Sequence, residues 1–157
     1  MDNLDALVQG TYTGQIGFTL DGQPVSAYYV EPGGPGDTGR YELSARGVLG
    51  TTSWSLEWGS YTGDVHGYWI KQTSDICGYY AWQPNGYINT VHYWNEDCSA
   101  SSNPEDLEMW YFEIVDHDNR LIRIRNRDVG YVFTDPNKTL FVGVQQDAAQ
   151  VFKVVLF

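Results

Sequence analysis

The chain has 157 residues, a net charge of −11 and a pI near 4.4, with 18% charged and 15% aromatic residues. Such acidity argues against nucleic acid and against insertion into an anionic membrane, and the modest charge fraction argues against a disordered chain. The length suits one domain with a full core, and the Gly- and aromatic-rich composition is that of sheet proteins.

In chain order, the first seven residues, Met1 to Leu7, show no basic start and no apolar run, so they do not read as a signal peptide. Nothing approaches a membrane span, and a cytoplasmic protein, or one released without a signal peptide, is expected. A short alternating strand at Phe18–Leu20 then precedes the run Ala27–Gly34, a strand is expected over Arg40–Ala45, and Trp54–Glu57 closes the first unit. The same order returns with Trp69–Lys71, Gly78–Gly86, Tyr87–Trp94 and Trp110–Glu113, and again with Ile122–Ile124, Gly130–Lys138, Thr139–Val144 and Gln150–Lys153. Tyr28, Tyr79 and Tyr131 lie 51 and 52 residues apart, and Pro32, Pro84 and Pro136 lie 52 and 52 apart. A repeat of this period marks copies of one unit, none of which can bury its core face alone. Three units of four strands, about 10–60, 61–116 and 117–157, predict an all-β chain folded as a β-trefoil. In the register used, Tyr29, Tyr80 and Val132 are equivalent, as are Leu56, Phe112 and Phe152. No stretch has helical periodicity; the nearest is one capped turn at Asn103–Glu108. Taken alone, residues 9–70 also look like the meander of avidin-like and lipocalin barrels, but those barrels have eight strands and no threefold repeat.

The second unit carries an insertion, Asn95–Asp106, that the others lack. It contains Cys98, and a disulfide to Cys77 is feasible but not demanded. Charge is uneven too. Residues 1–118 hold 17 acids and 3 bases, whereas residues 119–157 hold 3 acids and 6 bases. Arg123, Arg125 and Arg127 alternate with Ile122, Ile124 and Asn126, which puts the three cations on one strand face. The simplest reading of that face is a solvated surface balancing the acidic remainder; an anionic ligand or acidic partner is the alternative.

The segment Asp147–Phe152 is similar to the Q-x-W/F signature of ricin-B-type β-trefoil lectins, through Gln150 and Phe152. The run Ile122–Asn126, followed by Gly130-Tyr131-Val132, resembles the start of a subdomain in that superfamily. The resemblance implies a carbohydrate-binding protein without catalytic activity or cofactor, with glycans or glycoproteins as partners and a homo-oligomer as one way to gain avidity. The family's site residues do not carry over: its Asp falls near Phe133 and Ala81, and its Asn falls at Ala149. A site is therefore expected on the second unit. Pairing Ile88 with Leu140 as core positions turns Tyr87, Asn89 and Tyr93 outward, next to Trp82 and to Asn95 and Asp97 of the insertion. Aromatic faces stack on the C–H face of a pyranose, while amides and carboxylates take its hydroxyls. Cross-strand packing is the plainer role for such aromatics, and it is the expected one for Tyr28, Tyr79 and Tyr131.

Enzyme readings find no motif. His66, His92 and His117 stand in no nucleophile or metal spacing, His117 lies in a polar turn, and the acidic run at Asn95 lacks a calcium-loop spacing. The alternative to a lectin is a β-trefoil protease inhibitor acting through loops 31–38 or 95–106.

Overall fold

The computed structural model describes residues 3–31, 40–48, 50–61, 65–73, 79–93, 109–127, 129–143 and 149–157. It is all-β: the described residues form one short helix, α1 (Asn3–Gln9), and thirteen strands. These are β1 (Gln15–Leu20), β2 (Gln23–Pro24), β3 (Ser26–Glu31), β4 (Arg40–Ser44), β5 (Trp54–Tyr61), β6 (Val65–Thr73) and β7 (Tyr79–Asn85). They continue with β8 (Tyr87–Tyr93), β9 (Trp110–Asp116), β10 (Leu121–Asn126), β11 (Gly130–Thr134), β12 (Leu140–Gly143) and β13 (Val151–Leu156). Thirteen replace the expected twelve because the second strand of the first unit is split. Pro24 ends β2, and the Val25 amide donates instead to the Phe18 carbonyl at 2.8 Å.

The helix was not expected from the sequence. It has only seven residues, too few to hold itself together in water, so packing must stabilise it. Leu4 and Leu7, three apart on one helix face, are both buried. The Gly10 and Thr11 amides donate to the Leu7 and Ala6 carbonyls at 3.4 and 3.0 Å. With Gly10 at φ 85°, these bonds form a Schellman stop. The Tyr68 hydroxyl donates to the Ala6 carbonyl at 3.5 Å and accepts from the Tyr12 amide at 3.2 Å, which ties the helix to β6.

Six strands pair antiparallel in a closed ring. β1 joins β5 at Ile16–Trp54, β6 joins β9 at Tyr68–Trp110, and β10 joins β13 at Ile122–Phe152. The pairings of β5 with β6, β9 with β10 and β13 with β1 complete the circuit. Closure leaves none of the six with a free edge, which protects a β protein from edge-to-edge association. The order is not that of an eight-stranded meander, in which sequence neighbours pair throughout. Three hairpins, β3–β4, β7–β8 and β11–β12, meet one another at Tyr41–Thr90, Tyr87–Phe141 and Ser44–Thr139.

The ring encloses tiers of side chains. Ile16, Tyr68 and Ile122 face Trp54, Trp110 and Phe152, and all six are at most 1% exposed. Phe18, Ile70 and Ile124 face Val154, Leu56 and Phe112, again all buried. The expected register is corrected here. Phe152 takes the place that Trp54 and Trp110 take, and Val154 takes that of Leu56 and Phe112. Trp54 and Trp110 are 56 residues apart and Trp110 and Phe152 only 42, against 56 and 40 in the expected set, which is therefore two residues out of register in the third unit. Val132 likewise matches Trp82 rather than Tyr80, since Ala81 pairs with Lys71 as Tyr131 pairs with Arg125. Ile88 and Leu140 are both fully buried, as the sequence suggested. Aromatic rings fill the centre: Phe18 lies 5.5 Å from Trp82 and 5.9 Å from Phe112, and Trp82 meets Trp54 and Trp110 edge-on at 5.1 and 5.8 Å.

Two polar residues quoted for the lectin resemblance hold the scaffold together. Buried Asn126 donates to the Met109 carbonyl at 3.2 Å and accepts from the Val129 amide at 3.0 Å. The Gln150 amide oxygen accepts from the Thr134 hydroxyl at 2.9 Å, linking the residue before β13 to β11. Among the described residues no helix is long and apolar enough to cross a membrane. Cys77, Cys98, the turn at 103–108 and both candidate inhibitory loops, 32–38 of the first and 95–106 of the second, lie outside the described residues.

Candidate functional site

Tyr87 opens β8 directly after Gly86, which turns the β7–β8 hairpin at φ 71°. The Gly86 carbonyl accepts from the Val142 amide at 2.9 Å, so the hairpin tip is pinned to β12. That contact sets Tyr87 opposite Phe141. The Tyr87 ring is 43% exposed and meets Phe141 edge-on at 6.2 Å, and Phe141 in turn stacks on Phe133 at 5.5 Å. The result is a short aromatic ledge whose outermost member is open to solvent.

A carboxylate sits at its rim. The Tyr87 hydroxyl donates to Asp135 Oδ2 at 3.3 Å. The other oxygen, Oδ1, accepts from the Asn137 and Thr139 amides at 2.8 and 2.9 Å, an Asx turn that fixes the carboxylate. Lys138, at φ 59°, completes this turn. The nearby Asp135 charge, then the hydrogen bond to it, push the Tyr87 hydroxyl above its ordinary pKa. The phenol therefore stays a donor across the physiological range.

The expected site residues separate on the structure. Tyr87 is exposed as expected. Trp82 is not: it is fully buried among Phe18, Trp54 and Trp110, and its carbonyl accepts from Trp110 Nε1 at 3.2 Å. Its neighbour Ala81 is buried as well, because this strand has the barrel core on one side and hairpin contacts on the other. Strand alternation therefore does not give its exposed face. Trp82 cannot stack on a ligand and belongs to the core. Asn89 lies in β8 opposite both Gln83 and Glu42, and Tyr93 opposite Tyr79; the side chains of Asn89 and Tyr93 are not among those described. Asn95 and Asp97 lie outside the described residues.

Asp135 and Phe141 were missed. They belong to the third unit, and only the β8–β12 pairing brings them to Tyr87, across 48 residues in the case of Asp135. The Asp135-Pro136-Asn137 turn was visible in the repeat, but its proximity to Tyr87 was not.

A second aromatic surface lies on the barrel wall. Trp58, 38% exposed, stacks parallel to His66 at 6.3 Å and edge-on to Tyr111 at 6.4 Å. The Tyr111 hydroxyl donates to the His66 carbonyl, and Arg125 lies over the Tyr111 ring at 4.8 Å. These groups satisfy one another, as packed cross-strand neighbours do. His117 lies 3.3 Å from Asp5 in a solvent-facing turn. Among the described residues no group of three or more His, Cys, Asp or Glu side chains is placed to hold a metal ion. No protein-family model matches the chain, and no curated protein is significantly similar to it.

Proposed function

We propose that this protein is a β-trefoil that binds carbohydrate and catalyses no reaction. Support for the trefoil comes from the ring of six strands, the three hairpins that meet one another, and the matching buried residues at Ile16, Tyr68 and Ile122 and at Trp54, Trp110 and Phe152. The observation that carries the binding reading is the exposed Tyr87 ring beside the fixed Asp135 carboxylate. A sugar ring has an apolar C–H face and a rim of hydroxyls. An aromatic face takes the first, and a carboxylate accepts strong hydrogen bonds from the second. The site combines Tyr87, Asp135 and Phe141 and contains no Trp82. It is shallow, so each site binds weakly, and useful avidity comes from several sites or from an oligomer.

A glycan array with the parent protein, Tyr87→Ala and Asp135→Asn tests the reading. The amide introduced by Asp135→Asn keeps the Oδ1 acceptor that the turn requires and replaces the second acceptor with a donor. The parent is expected to bind and both variants to lose binding, with the thermal midpoint of Tyr87→Ala nearly unchanged. Equal binding by Tyr87→Ala refutes the site. A parent that binds no glycan but blocks a cysteine or serine protease replaces the reading with that of an inhibitor acting through loops 31–38 or 95–106.

A further inference from the structure

The geometry points to a second binding site, a cleft on the outer barrel wall that we infer takes a small apolar carboxylate. This goes beyond the sugar reading and does not depend on Tyr87. The cleft, about 700 Å³, opens where the β1–β2 turn faces β13 and β10. Its volume falls within the usual range for small-molecule sites.

Register fixes what the cleft presents. Leu121 of β10 and Thr19 of β1 both stand opposite Lys153 of β13, so the three side chains leave the barrel on its outer face. Val151 and Val155, two residues to either side of Lys153, share that face, and Leu20 closes the end near the turn. The floor is therefore apolar: Leu20, Leu121, Val151 and Val155. Its two other polar side chains are already engaged. Asp21 accepts from Lys138 Nζ at 3.3 Å, and Gln150 accepts from Thr134.

Besides the Thr19 hydroxyl, the groups left over are cations. Lys153 has neither an ion pair nor a hydrogen bond among the described residues. Arg123, just beyond the lining residues, stands opposite Val151 of β13 on one side and Glu113 of β9 on the other, on the sheet face from which the cleft opens. Its Nε is buried and has no hydrogen-bond partner. Neighbouring Arg125, whose Nε is likewise buried without a hydrogen bond, lies over Tyr111 and forms an ion pair with Glu113 at 3.7 Å. Glu113 itself accepts from the Tyr131 hydroxyl at 2.9 and 3.0 Å. An apolar floor that carries Lys153, with the desolvated Arg123 donor on the same sheet face beside it, suits a ligand with a hydrocarbon body and one carboxylate. A neutral sugar would leave both cations unused and would find no aromatic face among the lining residues.

Titration of isotope-labelled protein with octanoate, and separately with octan-1-ol, followed by amide NMR shifts, tests the assignment. Octanoate is expected to shift the amides of Thr19, Leu121, Val151 and Lys153, and octanol to bind the same place about tenfold more weakly. Arg123→Met should weaken octanoate about tenfold and leave octanol unchanged, and Lys153→Met should act in the same direction. Added salt should weaken octanoate alone. Tyr87→Ala should leave octanoate binding intact, which separates this site from the sugar site. Shifts elsewhere on the protein, equal affinity for the acid and the alcohol, or a folded Arg123→Met that binds octanoate as the parent does would each overturn the proposal. Should Arg123→Met fail to fold, an unchanged Lys153→Met overturns it equally.

Discussion

Phe152→Ala tests the tiered core most directly. The Phe152 ring is fully buried, faces Ile122 across the β10–β13 pairing and packs edge-on to Phe18 at 6.4 Å. Truncation to Ala removes the ring's transfer free energy and leaves a cavity, together about 3–5 kcal/mol. Loss of the edge-to-face contact adds about 0.5–1.5 kcal/mol. The lower end already approaches the total stability of many domains, about 5–15 kcal/mol. For 157 residues, an unfolding entropy of about 2.1 cal/mol/K per residue gives about 330 cal/mol/K in all, so a loss of about 4 kcal/mol lowers the thermal midpoint by about 12 °C. Urea unfolding followed by tryptophan fluorescence measures the change, with an unchanged slope showing that the denatured state is unaltered. Phe157→Ala is the control: Phe157 is 69% exposed, and its loss should cost less than about 0.5 kcal/mol. A cooperative Phe152→Ala protein destabilised by less than about 1 kcal/mol would refute the placement of Phe152 in the tier with Trp54 and Trp110.

Gly10→Ala should destabilise the protein by about 2–4 kcal/mol, because a Cβ there would meet the Trp58 ring at 2.7 Å and the φ of 85° penalises any side chain; denaturant unfolding reads the change, and a neutral substitution would refute the helix stop. Burial pushes the Tyr68 hydroxyl up to about 12. Its folded value lies above the unfolded one, so its contribution to stability is complete below about pH 10 and is lost as pH rises from there towards 12. An alkaline ultraviolet titration should include a tyrosine that ionises near pH 12, and Tyr68→Phe should remove that component.

The strands were legible because their residues obey local rules. In β10 and the residue after it, Ile122, Ile124 and Asn126 are buried while Arg123, Arg125 and Arg127 are only partly so, the alternation that period two requires. Ile88 and Leu140 could be placed in the core because both follow a recurring Pro-Asn pair. The position of Phe152 was lost for a different reason. The units differ in length, and residues two apart on a strand share a face, so alternation cannot decide whether Phe152 matches Trp54 and Trp110 or Leu56 and Phe112. Helix α1 was invisible because two leucines three apart give no periodicity to detect, and its stability comes from Tyr68, over sixty residues away. Trp82 was misplaced since β7 is buried at two successive residues, Ala81 and Trp82, and a strand packed on both faces shows no polar side in its sequence.

Both proposed sites lie at seams where sequence-distant strands meet. Tyr87 joins Asp135 and Phe141 because β8 pairs with β12, and the apolar cleft exists because β13 lies between β1 and β10. Neither seam can be assembled from one unit alone, so neither site exists before the chain has closed. The β1–β13 seam is further fastened where the Tyr12 hydroxyl lies within hydrogen-bond reach of the Phe157 carbonyl, at 2.7 Å, and the Gln15 carbonyl, at 2.9 Å. Closure itself rests on the inward residues, Phe18, Trp54, Trp110 and Phe152 among them, whereas ligands would meet the outward ones, Tyr87 and Lys153. Because successive strand residues face opposite ways, the side chains of the two sets can change independently. A fold of this kind can therefore alter what it binds at a seam without loosening the core that holds the seam shut, and the separate responses expected of Tyr87→Ala and Phe152→Ala follow from that division.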